Sequence, residues 1–258
     1  MQEMSMASSK HTVSGPKHLP WSWAGSTAWA SWFLRDLSPL SYFFGAFLGD
    51  GYAAYAPEKK RYYVRMACAE EEIGTRCNAE IKAFFPEMRE ARIGQRIVNQ
   101  GTVIYIVQWN SIPLTQFLLC ATNEKKRMPQ YIWKASEGAR LAFLAGLMDT
   151  DGSISLGIVS KKKKCRDNYL RFAGAHGFVQ EFGKLCASIG IHTTVSANNG
   201  GPYGTKRQLH YRLSLPSAVS AGFYFHCARK QILLEQYRKD PTSRLRLRRD
   251  YATQLGFF

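Results

Sequence analysis

The chain has 258 residues, enough for one large domain or for two of roughly 100 to 130 residues that each bury a core. Apolar residues make up 45% of it, yet no apolar run reaches the about 18 residues of a membrane helix, so a membrane-spanning chain is excluded and a soluble, intracellular one is expected. A net charge of +16 points to a polyanionic partner, although solubility alone would also favour such a charge. The six cysteines form no C-x-x-C pair, which argues against zinc and for reduced thiols.

Residues 1 to 18 carry Ser, Lys and His without a period. Trp29, Trp32 and Phe33 follow helical spacing and predict a short helix packed on the first half of the chain, with stacking on bases as the alternative use of the tryptophans. Ser38-Pro39 reads as a helix start, Ser capping and Pro at the first helical position, and Gly51 ends that helix. Two strands come next around the turn 57–60, then a helix over 72–85, then a second hairpin turning at 99–101 and a helix from Pro113 to about Thr122. After a polar stretch the order repeats: Ser136 caps a helix to Thr150, two strands flank the basic turn 161–167, a helix covers 179–189, and a hairpin ends at 215. A helical region, 217–238, and the basic run 244–249 close the chain.

An internal repeat is therefore expected. The fold class is α+β, with two pseudo-symmetric halves of the form αββαββα, each an antiparallel four-stranded sheet with helices on one face. The expected boundaries are an N-terminal extension 1–37, a first half 38–122, a linker 123–135, a second half 136–240 and a basic tail 241–258. The strongest repeat is FFGAFLGDG (43–51) against LAGLMDTDG (144–152). Gly45 and Gly49 are four apart, as are Gly146 and Thr150, and such a stripe lets two helix backbones approach closely. One stripe alone would be ordinary packing. Two matching stripes, each followed by an aspartate, predict crossed helices whose C-terminal ends bring Asp50 and Asp151 together. Two carboxylates there repel each other and face the negative ends of both helices. A divalent cation removes the conflict, and oxygen donors, including the Gly49 and Thr150 carbonyls, favour Mg²⁺, with Mn²⁺ or Ca²⁺ as substitutes. Such a centre suits hydrolysis of a phosphodiester.

These paired motifs resemble those of the LAGLIDADG homing endonucleases in their single-chain, two-motif form, over residues 38 to 240. The resemblance implies an intron-encoded nuclease, a monomer acting as a pseudo-dimer, which cuts both strands of a long DNA site and leaves short 3′ overhangs. It implies catalytic and metal-holding aspartates at Asp50 and Asp151, and two sheets forming a saddle along the major groove. Leu48 stands where the family often has a first acidic residue, the place that Asp149 fills in the second motif. The family's polar residue near the end of the second strand falls near Glu70 or Glu71 in one half and near His176 in the other; the glutamates could equally be a solvated helix start. The family's water-organising lysine finds no match in NSIPLTQF or SLPSAVSAG, the segments after the fourth strands.

Strand parity nominates a DNA-reading surface, since Arg suits guanine and Gln or Asn suits adenine. The candidates are Arg61, Tyr63 and Arg65 in one half and Arg171, His210 and Arg212 in the other, with Gln95, Arg96 and Asn99 on a hairpin of ambiguous parity. Lys161, Lys162, Lys163 and Lys164 are loop cations that either meet phosphates or stay solvated, and Lys206 and Arg207 are further DNA-binding candidates. Unlike side chains in the two halves imply an asymmetric target. A non-catalytic binder on the same fold, an intron RNA maturase or a DNA-binding regulator, is the alternative.

Overall fold

The computed structural model describes residues 28–59, 61–98, 101–156, 168–174, 177–198 and 208–241. Asn99, His176, Lys161 to Lys164, Lys206, Arg207, residues 1 to 27 and the tail from 242 lie outside them.

Nine of the ten residues of α1 (Ser41–Asp50) are buried, and α4 (Glu137–Thr150) buries an unbroken run from Phe143 to Asp149. A helix apolar on all sides has to lie inside a core, and these two lie against each other. A Cβ built on Gly45 would sit 2.0 Å from the Phe143 carbonyl oxygen, and one on Gly146 would sit 2.1 Å from that of Tyr42. Gly45 also faces the Leu147 nitrogen, and Gly146 faces that of Ala46. Adding 101 to each α1 position maps this contact set onto itself, as a pseudo-two-fold axis through the crossing requires.

Each central helix runs directly into a four-stranded antiparallel sheet. The first sheet has β1 (Gly51–Ala56), β2 (Arg61–Cys68), β3 (Arg92–Ile97) and β4 (Val103–Trp109) in the order β1-β2-β4-β3. The second has β5 (Gly152–Ser155), β6 (Tyr169–Gly174), β7 (Thr193–Asn198) and β8 (Gln208–Leu213) in the order β5-β6-β8-β7. One face of each sheet is covered by helices: α2 (Glu71–Phe84) and α3 (Ile112–Ala121) in the first half, α5 (Val179–Ala187), α6 (Leu215–Ser220) and α7 (Ala228–Lys239) in the second. Packing is close enough at Gly74 that a Cβ would meet a Val107 methyl at 2.3 Å. The chain is thus α+β, with two pseudo-symmetric halves joined through α1 and α4.

The expected caps hold at α4, where the Ser136 hydroxyl accepts from the Ala139 amide, and fail at α1. Ser38-Pro39-Leu40 forms a 3-10 turn, α1 starts at Ser41, and no side chain at its own N-cap satisfies it. A distant carboxylate does so instead: Glu80 Oε2 accepts from the Phe43 amide at 2.9 Å while its Oε1 holds Arg76. The closing helical region is two helices, broken near Gly222, whose φ of 74° is the left-handed conformation that glycine adopts freely. The aromatic segment is a 3-10 helix, Ala28–Leu34, whose Trp32 ring packs on Phe85 and Phe117. Arg35 then stacks on Phe84, 3.8 Å from the ring centroid, and donates to the Phe84 carbonyl. Between the halves, Met128 and Ile132 are fully buried, so the connection is part of the core. Five cysteines among the described residues are unpaired thiols, four of them buried. No described helix is long and apolar enough to cross a membrane.

Candidate metal and nucleic-acid site

The crossing places the two Asp-Gly ends together. A Cβ on Gly49 would lie 2.0 Å from the Thr150 hydroxyl oxygen and 3.5 Å from the Asp151 carboxyl carbon. The end of α1 therefore rests on the carboxylate that follows α4. Asp50 is held in the same neighbourhood: its carboxyl is pushed up to about 6, first by burial and then by the charge of Asp151, against the pull of Lys125 and Lys230. Low dielectric and a like charge act in the same direction here.

Those two lysines were not foreseen. Lys125 Nζ donates to the Gly49 carbonyl at 2.9 Å and the Gly51 carbonyl at 2.8 Å. Lys230 Nζ donates to the carbonyls of Met148, Asp149 and Gly152 at 2.9, 2.7 and 2.8 Å. Each lysine neutralises the negative end of one central helix. Burial lowers the pKa of both, against the raising charges of the nearby aspartates. Lys125 lies 75 residues after Asp50 and Lys230 lies 79 after Asp151 (125 − 50 and 230 − 151), beyond the segments after the fourth strands. That near-equal spacing is the signal that could have found them. They differ in one respect. Lys230 has all three ammonium hydrogens committed, whereas Lys125, among the described residues, retains one without an acceptor.

Asp149 accounts for the asymmetry between the motifs. Its Oδ2 accepts from the Tyr42 hydroxyl at 2.8 Å, the His226 amide at 2.9 Å and the Cys227 amide at 3.2 Å. It caps the start of α7, a helix N-terminus being the natural place for a carboxylate. Its counterpart Leu48 is fully buried. The lysine of the first half comes from a loop, so no helix start needs a cap there. Burial raises the Asp149 carboxyl and the three hydrogen bonds pull it down.

Glu70 precedes α2 and accepts from Arg229 Nε at 2.9 Å, which ties it to the second half; Glu71 is an exposed first-turn residue. The metal-ligand expectation for the Gly49 carbonyl has to accommodate the Lys125 ammonium already on it. The Thr150 hydroxyl turns back to the carbonyls of Gly146 and Leu147. No cluster of three or more His, Cys, Asp or Glu side chains occurs among the described residues. An oxygen-liking cation nevertheless suits two adjacent carboxylates, since the pull of Lys125 and Lys230 still leaves Asp50 raised.

Cross-strand pairing fixes the sheet faces. Arg65 pairs with Gln108, and Arg92 with Gln108 from the other side, so Arg61, Tyr63, Arg65, Arg92 and Arg96 share the face away from the helices. Gln95 pairs with Tyr105, on the helix-side face, which corrects its place among the candidates, while Arg96 stays. Arg92 was missed, because only its pairing with β4 reveals its side. Arg65 is oriented by two bonds to Gln108 Oε1, at 3.0 and 2.7 Å, and Gln108 donates in turn to Asn110. In the second sheet Arg171 stands opposite Arg212, and Arg212 lies over the Tyr169 ring, 5.0 Å from its centroid. Like charges in such a pair are destabilising unless an anion joins them. His210 shares this face but is only 8% exposed; its Nδ1 is the partner of Arg171, and burial and that arginine lower its pKa. It supports an arginine more readily than it reaches out to a base.

A scan of protein-family models matches none, and a search of curated proteins finds no match. Among solved structures the chain is similar to I-DmoI in complex with DNA and manganese, at 17% identity over 72% of this chain and 94% of that one, with a TM-score of 0.49. It is similar to I-WcaI bound to its DNA recognition sequence at 14% identity, 68% and 75% coverage and a TM-score of 0.42. It also resembles the N-terminal LAGLIDADG domain of WhiA at 11% identity, 72% and 80% coverage and a TM-score of 0.45.

Proposed function

We propose that this chain is a LAGLIDADG-type, site-specific DNA endonuclease that cuts both strands of an asymmetric duplex at the joined ends of α1 and α4. The observation that carries this is the crossing itself: glycine-mediated contact sets the end of α1 on the Asp151 carboxylate and leaves Asp50 with a raised pKa. Folding alone gains nothing from that juxtaposition, whereas a phosphodiester hydrolase does. Asp50 and Asp151 would hold Mg²⁺, with Mn²⁺ or Ca²⁺ as substitutes. The cation would supply Lewis-acid charge for the reacting phosphate and its leaving oxygen. The remaining work falls to the chain. The arginines of the two open faces bind and orient the duplex across the helix ends. Lys125, with one N–H left over, donates to the reacting phosphate or to the water that attacks it, while its bonds to Gly49 and Gly51 keep it in place.

The test begins with selection of duplexes from a randomised library in Ca²⁺, followed by incubation of the enriched DNA with Mg²⁺. Cutting of both strands is expected, and binding without cutting would leave a regulator or maturase on the same fold. The affinity should also depend steeply on salt. The six arginines of the open faces, Arg61, Arg65, Arg92, Arg96, Arg171 and Arg212, predict a slope of log K against log salt of at least about −5 if each displaces a counterion. A slope near zero in a filter-binding series would remove the nucleic-acid assignment.

A further inference from the structure

The two catalytic ends are held by different means, and this has a consequence for the two strands. Lys125 sits in the turn that follows α3, where Asn123, Glu124 and Lys125 have φ of 46°, 54° and 64°. Lys230 sits in the first turn of α7, and that turn is gripped from outside the helix. Glu72 of α2, in the first half, accepts from the Ala228 amide at 2.5 Å. Glu70 holds Arg229, and Asp149 takes the amides of His226 and Cys227. The α7 N-cap residue, Cys227, offers no side-chain cap of its own. Two donors of this helix start, the amides of Cys227 and Ala228, and the His226 amide just before it are therefore met by carboxylates from α4 and α2, 77–78 and 156 residues away.

We propose that Glu72 and Asp149 are positioning residues for one of the two strand cleavages: by clamping the first turn of α7 they set Lys230 on the end of α4, and so set Asp151. This rests on the endonuclease function proposed above. Lys230 is itself a positioning residue, since its three hydrogens already bind Met148, Asp149 and Gly152. The carbonyls it gathers flank Asp151, and it makes no hydrogen bond at the end of α1, where its charge nevertheless lowers the Asp50 carboxyl. Loosening the clamp shifts the end of α4, with the residue Asp151 that follows it, and leaves the Lys125–Gly49–Gly51 contacts intact. The first half thus controls the chemistry at the end of the second.

The measurement is cleavage of a supercoiled plasmid carrying a duplex enriched by the wild-type protein, with the two strands end-labelled separately in a linear version. Glu72→Ala is expected to slow one strand by roughly 10- to 10²-fold, the scale of a misplaced group, so that nicked circles accumulate. The strand that slows should be the one slowed by Lys230→Met and the opposite of the one slowed by Lys125→Met. Glu72→Gln keeps an acceptor for the Ala228 amide and should restore linear product. Glu72 is half-buried, and Asp149→Asn is the buried second variant, expected to slow the same strand. Equal slowing of both strands by Glu72→Ala, or slowing of the Lys125 strand, overturns this inference while the nuclease function stands. A wild-type protein that binds an enriched duplex and never cuts it overturns both.

Discussion

Asp50→Asn should abolish cleavage and, in the same stroke, stabilise the cation-free protein at neutral pH. The catalytic half follows from the charge that the carboxylate contributes to holding a dication. Losing several kcal/mol of transition-state stabilisation is roughly 10³-fold in rate. The stability half follows from the carboxyl's raised pKa, about 6 against an ordinary 3.8. Well below pH 4 the group is protonated in both folded and unfolded chains and contributes nothing. Between about 4 and 6 the unfolded chain gives up its proton first, so folding becomes less favourable as pH rises. Above 6 both states are ionised and the full cost is present, on the order of 3 kcal/mol. Asparagine removes the charge at similar size. Thermal unfolding in EDTA at pH 7.5 should therefore show Asp50→Asn melting several degrees above wild type, with the gap closing by pH 4. Mg²⁺ should raise the wild-type midpoint more at pH 7.5 than at pH 5, and should do little for the variant. Equal midpoints at pH 7.5 would mean that Asp50 carries no electrostatic cost, and the case for a cation between the two helix ends would lose its physical basis.

What the sequence disclosed, and what it withheld, divides by the range of the interactions. The element order, both sheets and the pairing of α1 with α4 follow from local periodicity and from glycines at fixed spacing, and these are legible in a window of ten or fifteen residues. Parity was clear on β2, where Arg61, Tyr63 and Arg65 alternate with Tyr62, Val64 and Met66. It failed on β3, where RIGQRI offers no polar–apolar alternation and only pairing with β4 turns Gln95 away from Arg96. The lysines were hidden for a different reason. Lys125 reaches Gly49 and Gly51 from a left-handed turn, and Lys230 reaches α4 from a helix whose start is fixed by carboxylates far away in the chain. Nothing local marks either residue as part of the site. Asp149 is intermediate: the motif displays it, but its partners Tyr42 and the start of α7 give it a structural duty in place of a catalytic one.

The largest stability effect should come from the smallest change at the crossing. Gly146→Ala adds one methyl group, and that carbon would stand 2.1 Å from the Tyr42 carbonyl oxygen and 2.8 Å from the Ala46 nitrogen. Both are main-chain atoms of α1, so no side chain can swing aside to relieve the clash. The helices must separate, and with them the contact of Gly49 with Thr150 and Asp151. Overpacking of this kind costs on the order of 3 kcal/mol or more. Gly138 provides an internal control on the same helix, because a Cβ there meets nothing within 4 Å. Alanine favours a helix over glycine by about 1 kcal/mol, so Gly138→Ala should be neutral or stabilising. One substitution, made twice in α4, should thus move the urea midpoint in opposite directions. Gly45→Ala should match Gly146→Ala in size, since its methyl would face the Phe143 carbonyl at 2.0 Å, and the pseudo-two-fold makes the two clashes equivalent. The double variant is the sharper measurement. Once one methyl has pushed the helices apart, the second meets a gap already opened, so the combined loss should fall well short of the sum of the two single losses. Strict additivity would mean that the glycines act at separate contacts, and the shared crossing that brings Asp50 to Asp151 would not exist in solution.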